Sequence, residues 1–490
     1  MSGLSILLVI LVYFSILLLI SYLVGRKSTD NDAFFLGNKK SPWWVVAIGM
    51  IGSSISGVSF VSVPGMVRGI DFTYMQTVIG FFVGYLVIAN VLLPLYYKLN
   101  LTSIYTYLEQ RFGKYTYKTG ASFFLLSRTI GSGVRLYLVT LILQLIVFDA
   151  WHIPFVVTAS GTVFFIWLYT HRSGIKTIVW TDTLQTICLI SALVLMVIQV
   201  SKQLNFSSGD FIHSMVNYSH SRIFVFDDWH SKQNFFKQFF SGIFIAIVMT
   251  GLDQDMMQKN LTCKSLKESQ KNMLTFSAIF VFVVALFLLL GVLLYLFADA
   301  NGISLPSKSD YLFPMLALNH MNIMIGVFFL LGITAANYAS ADSALTSLTT
   351  AFCVDFLDIK NRPQERKQSL LRRTHIAFSL LLFVVIMIFR IINDQSVVVA
   401  VFKAAGYTYG PLLGLFAFGL LTKKQVKDRW VPLITICSPF IAWIIDALSE
   451  QMFNGYQIGF ELIIINGAIT FAGLSIIQKK NSLSLKNVNK

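Results

Sequence analysis

Long apolar runs alternate along the chain with short polar punctuation. Five stretches hold no Asp, Glu, Lys or Arg at all: Leu4 to Gly25, Ser41 to Val67, Phe72 to Tyr97, Met273 to Ala298 and Tyr311 to Ala341. Each is long enough for the roughly 20 apolar residues that carry a helix across a bilayer, which excludes a soluble fold. Reading every apolar run between its polar borders predicts an all-α polytopic membrane protein of about 13 transmembrane helices. They fall near 3–25, 43–67, 72–97, 119–148, 153–170, 176–201, 233–257, 273–298, 322–354, 374–392, 396–421, 430–448 and 457–478. No basic residue precedes the first run and no small-residue cleavage site follows it, so it reads as a retained helix rather than a signal peptide.

Two of these helices carry sequence that should interrupt them. Unpaired backbone groups cost several kcal/mol in lipid, so broken segments are tolerated where they line a polar cavity. The second helix contains Gly52, Ser53, Ser54, Ile55, Ser56, Gly57, Val58, Ser59 and Phe60. Such residues either unwind and offer carbonyls to a cation or make a close helix contact. The seventh reads Thr250, Gly251, Leu252, Asp253, Gln254, Asp255, with two carboxylates beside a glycine where an apolar helix should continue. The interruptions lie five helices apart, and an odd offset reverses orientation. This is the layout of an inverted repeat, 43–201 and 233–421, around a midplane site. Residues 1–42 precede it as an extra helix and loop, two helices in 430–478 follow, and 479–490 form a tail, all within one membrane domain.

Composition agrees, with 56% hydrophobic and 12% charged residues and a mean hydropathy of +0.70. The net charge of +15 could point to nucleic acid, but the basic residues cluster in alternate loops, as the positive-inside rule requires. With the N-terminus outside, 28 of the 38 Lys and Arg fall in cytoplasmic segments, Lys259 among them, and Arg128, Arg135, Arg390 and Lys403 fall within helices. The C-terminus is then cytoplasmic, in the inner membrane of a bacterial-type cell, and nucleic acid is not expected as a partner. The four cysteines show no metal-ligand spacing.

Ionisable residues inside spans are functional by default. Asp182 lies ~9 Å along its helix from Lys176 at ~1.5 Å per residue, too deep for so short a side chain to snorkel. Asp342 lies deep in the ninth span, and helical spacing puts Ser343 and Thr346 near one face with Ser340 adjacent. A carboxylate among hydroxyls suits a hard cation such as sodium; a hydrogen-bonded interhelical contact is the alternative. Arg128 and Arg135, seven residues apart, share a face that could read a solute carboxylate or pair with Asp253 or Asp255. Lys403 is near enough to the outer end to snorkel.

The chain resembles the sodium:solute symporter family, whose bacterial members include proline, sialic acid and galactose carriers. The resemblance rests on Phe34, Phe35, Leu36, Gly37 with Pro42 and Trp43; on Thr102, Ser103, Tyr105, Tyr107, Leu108, Glu109, Arg111 and Phe112; on Gly174, Ile175, Trp180, Thr181, Asp182 and Gln185; on Gln254, Asp255, Gln258 and Lys259; and on Gly406, Gly410, Pro411, Gly414, Phe416 and Gly419. It implies a leucine-transporter-like core of five plus five inverted helices with one helix before and two after. It places one sodium at Gly52, Ile55, Ala336, Ala339 and Ser340, where Ala339 replaces the usual serine. A second sodium site, found in some members, resembles Asp182, Ala339, Asp342 and Ser343; Asp342 replaces a hydroxyl there, which either strengthens sodium binding or leaves a proton on one carboxylate. The solute positions it implies are Ser54, Ser56, Ser59, Gln76, Arg128, Arg135 and Asp253.

The expected function is therefore symport of sodium with a small polar organic solute, a sugar or sialic-acid-like molecule, into the cytoplasm by alternating access. The bilayer and these two cargoes are the expected partners, with sodium the coupling ion, no other cofactor, and the monomer as the functional unit. A substrate sensor of the same fold and a proton-coupled carrier are the alternatives; an intramembrane enzyme would need a catalytic cluster that the aspartates and hydroxyls do not resemble.

Overall fold

A segment that crosses lipid must satisfy its backbone internally, and for apolar runs of this length the helix does so. The computed structural model describes residues 8, 11–19, 39–170, 175–206, 218–392 and 397–479, and they are almost entirely helical. Helical residues 11–19, labelled α1, are followed by α2 (Trp43–Ser54), α3 (Gly57–Ile70), α4 (Tyr74–Lys98), α5 (Thr106–Arg111), α6 (Lys114–Leu143), α7 (Phe155–Thr170) and α8 (Ile175–Gln203). The second half contains α9 (Phe235–Gly251), α10 (Gln254–Asn260), α11 (Leu266–Ala300), α12 (Ile323–Asp355), α13 (Gln364–Ile392), α14 (Val397–Leu421), α15 (Val431–Met452) and α16 (Leu462–Ile476). The motif Phe34 to Gly37, Gly174 and most of the first expected span lie outside the described residues.

Among the described residues, eight helices are long and apolar enough to cross a membrane, and the bent pairs α2–α3 and α9–α10 bring the number to ten. The segments expected near 153–170 and 457–478 are the shorter apolar helices α7 and α16. Leu380, Ile436, Phe440 and Trp443 on α13 and α15 point outward, as suits surfaces that a bilayer solvates.

The core forms where small residues let backbones approach. A Cβ on Gly80 of α4 would stand 2.2 Å from the Phe239 carbonyl of α9, and one on Gly242 would stand 2.2 Å from the Thr77 carbonyl. The glycines of the last motif have the same use: Gly406, Gly410 and Gly414 of α14 pack on Leu462, Asn466 and Thr470 of α16. Arg111 closes the end of α14, donating from Nε to the Gly419 carbonyl (3.2 Å) and from Nη2 to that of Thr422 (2.7 Å), where orphan carbonyls and the helix dipole favour a cation.

Candidate solute and cation site

Both expected interruptions are present. At the first, Ile55 and Ser56 are extended and the axes of α2 and α3 differ by 61°. The last turn of α2 closes with Ile55 N–H on the Ile51 carbonyl (2.8 Å), and α3 begins with Phe60 N–H on that of Ser56 (3.1 Å). Carbonyls between these turns leave the helical ladder. At the second, α9 unwinds through a π turn, Ile247–Gly251, and α10 departs at 69°. Tyr96 Oη donates to the Gly251 carbonyl (2.8 Å) and Tyr105 Oη to that of Leu252 (2.9 Å). Gln254 accepts from the Ile104 N–H (3.0 Å) and donates to the Thr102 carbonyl (2.9 Å). Two motifs distant in sequence thus form one latch over the second break.

A buried ionic network lies between the breaks. Asp253 caps α10, its Oδ1 accepting from the N–H groups of Asp255 (3.0 Å) and Met256 (3.3 Å), while Oδ2 accepts from Tyr409 Oη (2.6 Å). Arg128 of α6 pairs with Asp255 and reaches within 3.8 Å of Asp253 Oδ2. Asp255 Oδ1 accepts from Ser343 Oγ of α12 (2.7 Å) and faces Lys259 Nζ at 3.9 Å. Lys259 pairs with Asp182 Oδ2 of α8 at 2.6 Å and donates to Ser53 Oγ of α2, which in turn donates to Asp182 Oδ2 (2.9 Å). Buried ions persist only when paired in this way.

A cavity of about 90 Å³ adjoins this network, lined by Ser54, Ser56, Ser59, Arg128 and Arg135 among others. Five of the seven expected solute positions are therefore brought together. The other two are not. Gln76 is fully buried and anchors the outer segment, donating to the Gln233 carbonyl (2.9 Å) and accepting from the Val225 N–H (3.1 Å). Asp253 is taken up by its cap, by Tyr409 and by Arg128. The arginines also differ: Arg135 has no ion-pair partner among the described residues, and Nη1 makes one long contact with Ser340 Oγ (3.4 Å).

Of the positions expected for the first sodium, Gly52 meets α12 directly, since a Cβ there would stand 3.4 Å from that of Ala339 and 2.3 Å from Thr186 Oγ1. Gly52 N–H donates to Thr186 Oγ1 (3.0 Å), and Ile55 sits at the break itself. Ala336, Ala339 and Ser340 are buried on α12. Of the second set, Asp182 and Ser343 are bound to Lys259 and Asp255, and Asp342 Oδ1 accepts from the Ser343 N–H (2.6 Å).

One expectation is corrected. Lys259, assigned from sequence to a cytoplasmic loop, is only 1% exposed and ion-paired, because α10 turns inward after the second break. Lys403, expected near the outer end, is half exposed and pairs with Asp446 of α15 at 3.1 Å. Sequence reasoning missed Ser53, Thr186 and Tyr409, which carry no charge to mark them. For Lys259 the i, i+4 spacing from Asp255 was an available signal.

A model of the sodium:solute symporter family matches residues 34–428. The sodium/sialic acid symporter NanT of Aliivibrio fischeri is 23% identical over 94% of this chain and 91% of its own. The sodium/sialic acid symporter SiaT of Proteus mirabilis is 22% identical over 84% of each. A solved substrate-bound, outward-open Na+-coupled sialic acid symporter superposes with a TM-score of 0.81 at 20% identity, covering 97% of this chain and 98% of that one.

Proposed function

The chain belongs to the sodium:solute symporter family, and from that premise we propose that it imports a small hydroxylated carboxylate of the sialic acid kind together with sodium. The observation that carries this reading is Arg135, a cavity-lining arginine without an ion-pair partner among the described residues, beside the hydroxyls of Ser54, Ser56 and Ser59. A guanidinium matches a carboxylate in charge and fork geometry, and hydroxyls match a polyol chain. Arg128 lines the same cavity, but its charge is met by Asp255 and Asp253, so it fixes α10 rather than the solute. The names of the two bacterial relatives agree with this solute class.

Sodium binds at the first break, between the carbonyls of Gly52, Ile55, Ala336 and Ala339 and the Ser340 hydroxyl. Sodium there ties α2 to α12, and Arg135, which touches Ser340, joins ion site to solute site. Each cargo then favours the other's binding, as coupled transport requires. The repeats 43–201 and 233–421 move against each other to expose the site alternately. The carrier sits in the cytoplasmic membrane as a monomer, with its N-terminus outside and its C-terminus inside, as the basic loops orient it.

The test is uptake of labelled sialic acid into proteoliposomes. An inward sodium gradient should drive accumulation, which should vanish when potassium replaces sodium. Equal uptake on a proton gradient alone would overturn the coupling, and indifference to sialic acids with uptake of a neutral sugar would overturn the solute.

A further inference from the structure

The oxygens expected to hold a second sodium do not form an open cage. Lys259 enters from α10, and its Nζ lies 2.6 Å from Asp182 Oδ2. It also donates to Ser53 Oγ, so this single ammonium joins α2, α8 and α10. Ser343 Oγ is turned to Asp255 Oδ1 (2.7 Å), and Asp342 Oδ1 accepts from the Ser343 N–H (2.6 Å). Ala339 offers a methyl group where a hydroxyl would help. Among the described residues, Asp182 Oδ1 is buried without a hydrogen-bond partner. A sodium placed on it would share one carboxylate with an ammonium, and two cations so close repel strongly where water does not screen them. A small hard cation also needs several oxygens at once, and Asp182 Oδ2, Ser53 Oγ and Ser343 Oγ already serve protein groups.

We propose that Lys259 is a tethered cation standing in the second sodium site, so that this carrier binds one sodium per chain, at the first break. The inference rests on the sodium-coupled reading above but not on the identity of the solute. The ammonium ties α8 to α2 and α10, where a second ion on Asp182, Asp342 and Ser343 would tie α8 to α12, and it cannot dissociate. Lys259 is thus a determinant of ion count rather than a ligand of either cargo.

The test needs sodium alone. Equilibrium binding of radioactive sodium to the purified full chain, with no solute present, should saturate at one ion per chain. Two ions would overturn the inference, and none would overturn it together with sodium coupling itself. Lys259→Met keeps the length of the side chain, removes the charge and frees Asp182, and should raise the count to two; a count still at one would overturn the inference. Lys259→Arg keeps the cation and should stay at one, and two would overturn the inference even if the methionine variant does not fold. A merely structural lysine would alter stability without changing the number of ions bound.

Discussion

At the scale of single residues, the two arginines of α6 show how much depends on partners. Arg135→Ala should raise the KM for a carboxylated solute by roughly 10- to 100-fold, the worth of a charged hydrogen bond, with little change in melting temperature. Arg128→Ala should do the reverse, costing about 3–5 kcal/mol of stability because Asp253 and Asp255 would remain buried without their cation. Thermal unfolding and initial uptake rates, measured on both variants, distinguish these outcomes; equal melting losses would refute the division of roles. Ala339→Ser should restore a hydroxyl at the first break and lower the half-saturating sodium concentration by roughly fivefold, about 1 kcal/mol for one hydrogen-bonding oxygen. Sodium dependence of uptake is the measurement, and an unchanged value would move the ion away from α12. The pair of arginines was legible in the sequence because seven-residue spacing puts both on one face. Which of them is neutralised was not, since Asp253 and Asp255 are more than a hundred positions away and reach Arg128 only through the turn at the second break.

At the scale of elements, the broken helices depend on what covers their freed carbonyls. Tyr105→Phe would leave the Leu252 carbonyl without its donor and should cost about 1–3 kcal/mol, the price of an unpaired buried acceptor. Melting of the variant against wild type checks this, and an unaffected midpoint would mean that water takes the place of the hydroxyl. Both breaks could be read from glycine, serine and aspartate within apolar runs, because helix interruption is a local property. The destination of α10 could not. Lys259 reads as a loop residue in a linear scan for positive charge, yet the 69° bend carries it into the protein and onto Asp182. The family resemblance implies Gln76 as a solute position, and its carboxamide is hydrogen-bonded to the backbone at Val225 and Gln233.

At the scale of the whole molecule, the ion count sets the electrical character of transport. One sodium carried with a solute of single negative charge moves no net charge. Uptake should therefore be indifferent to membrane potential when potassium and valinomycin impose it across proteoliposomes. Acceleration by an inside-negative potential would require a further cation per cycle. The sequence by itself determined that the chain is a helical membrane protein, where its helices break, that hydroxyls and carboxylates stand at those breaks, and that two arginines share a face of another helix. Those properties follow from hydrophobic runs and local backbone chemistry, which need no knowledge of neighbours. Only the tertiary structure decided which charges cancel: Arg128 with Asp255 and Lys259 with Asp182, leaving Arg135 without an ion-pair partner among the described residues. Buried charge is governed by contacts within about 4 Å, and contacts between α6, α8, α10 and α12 exist only once the helices have packed.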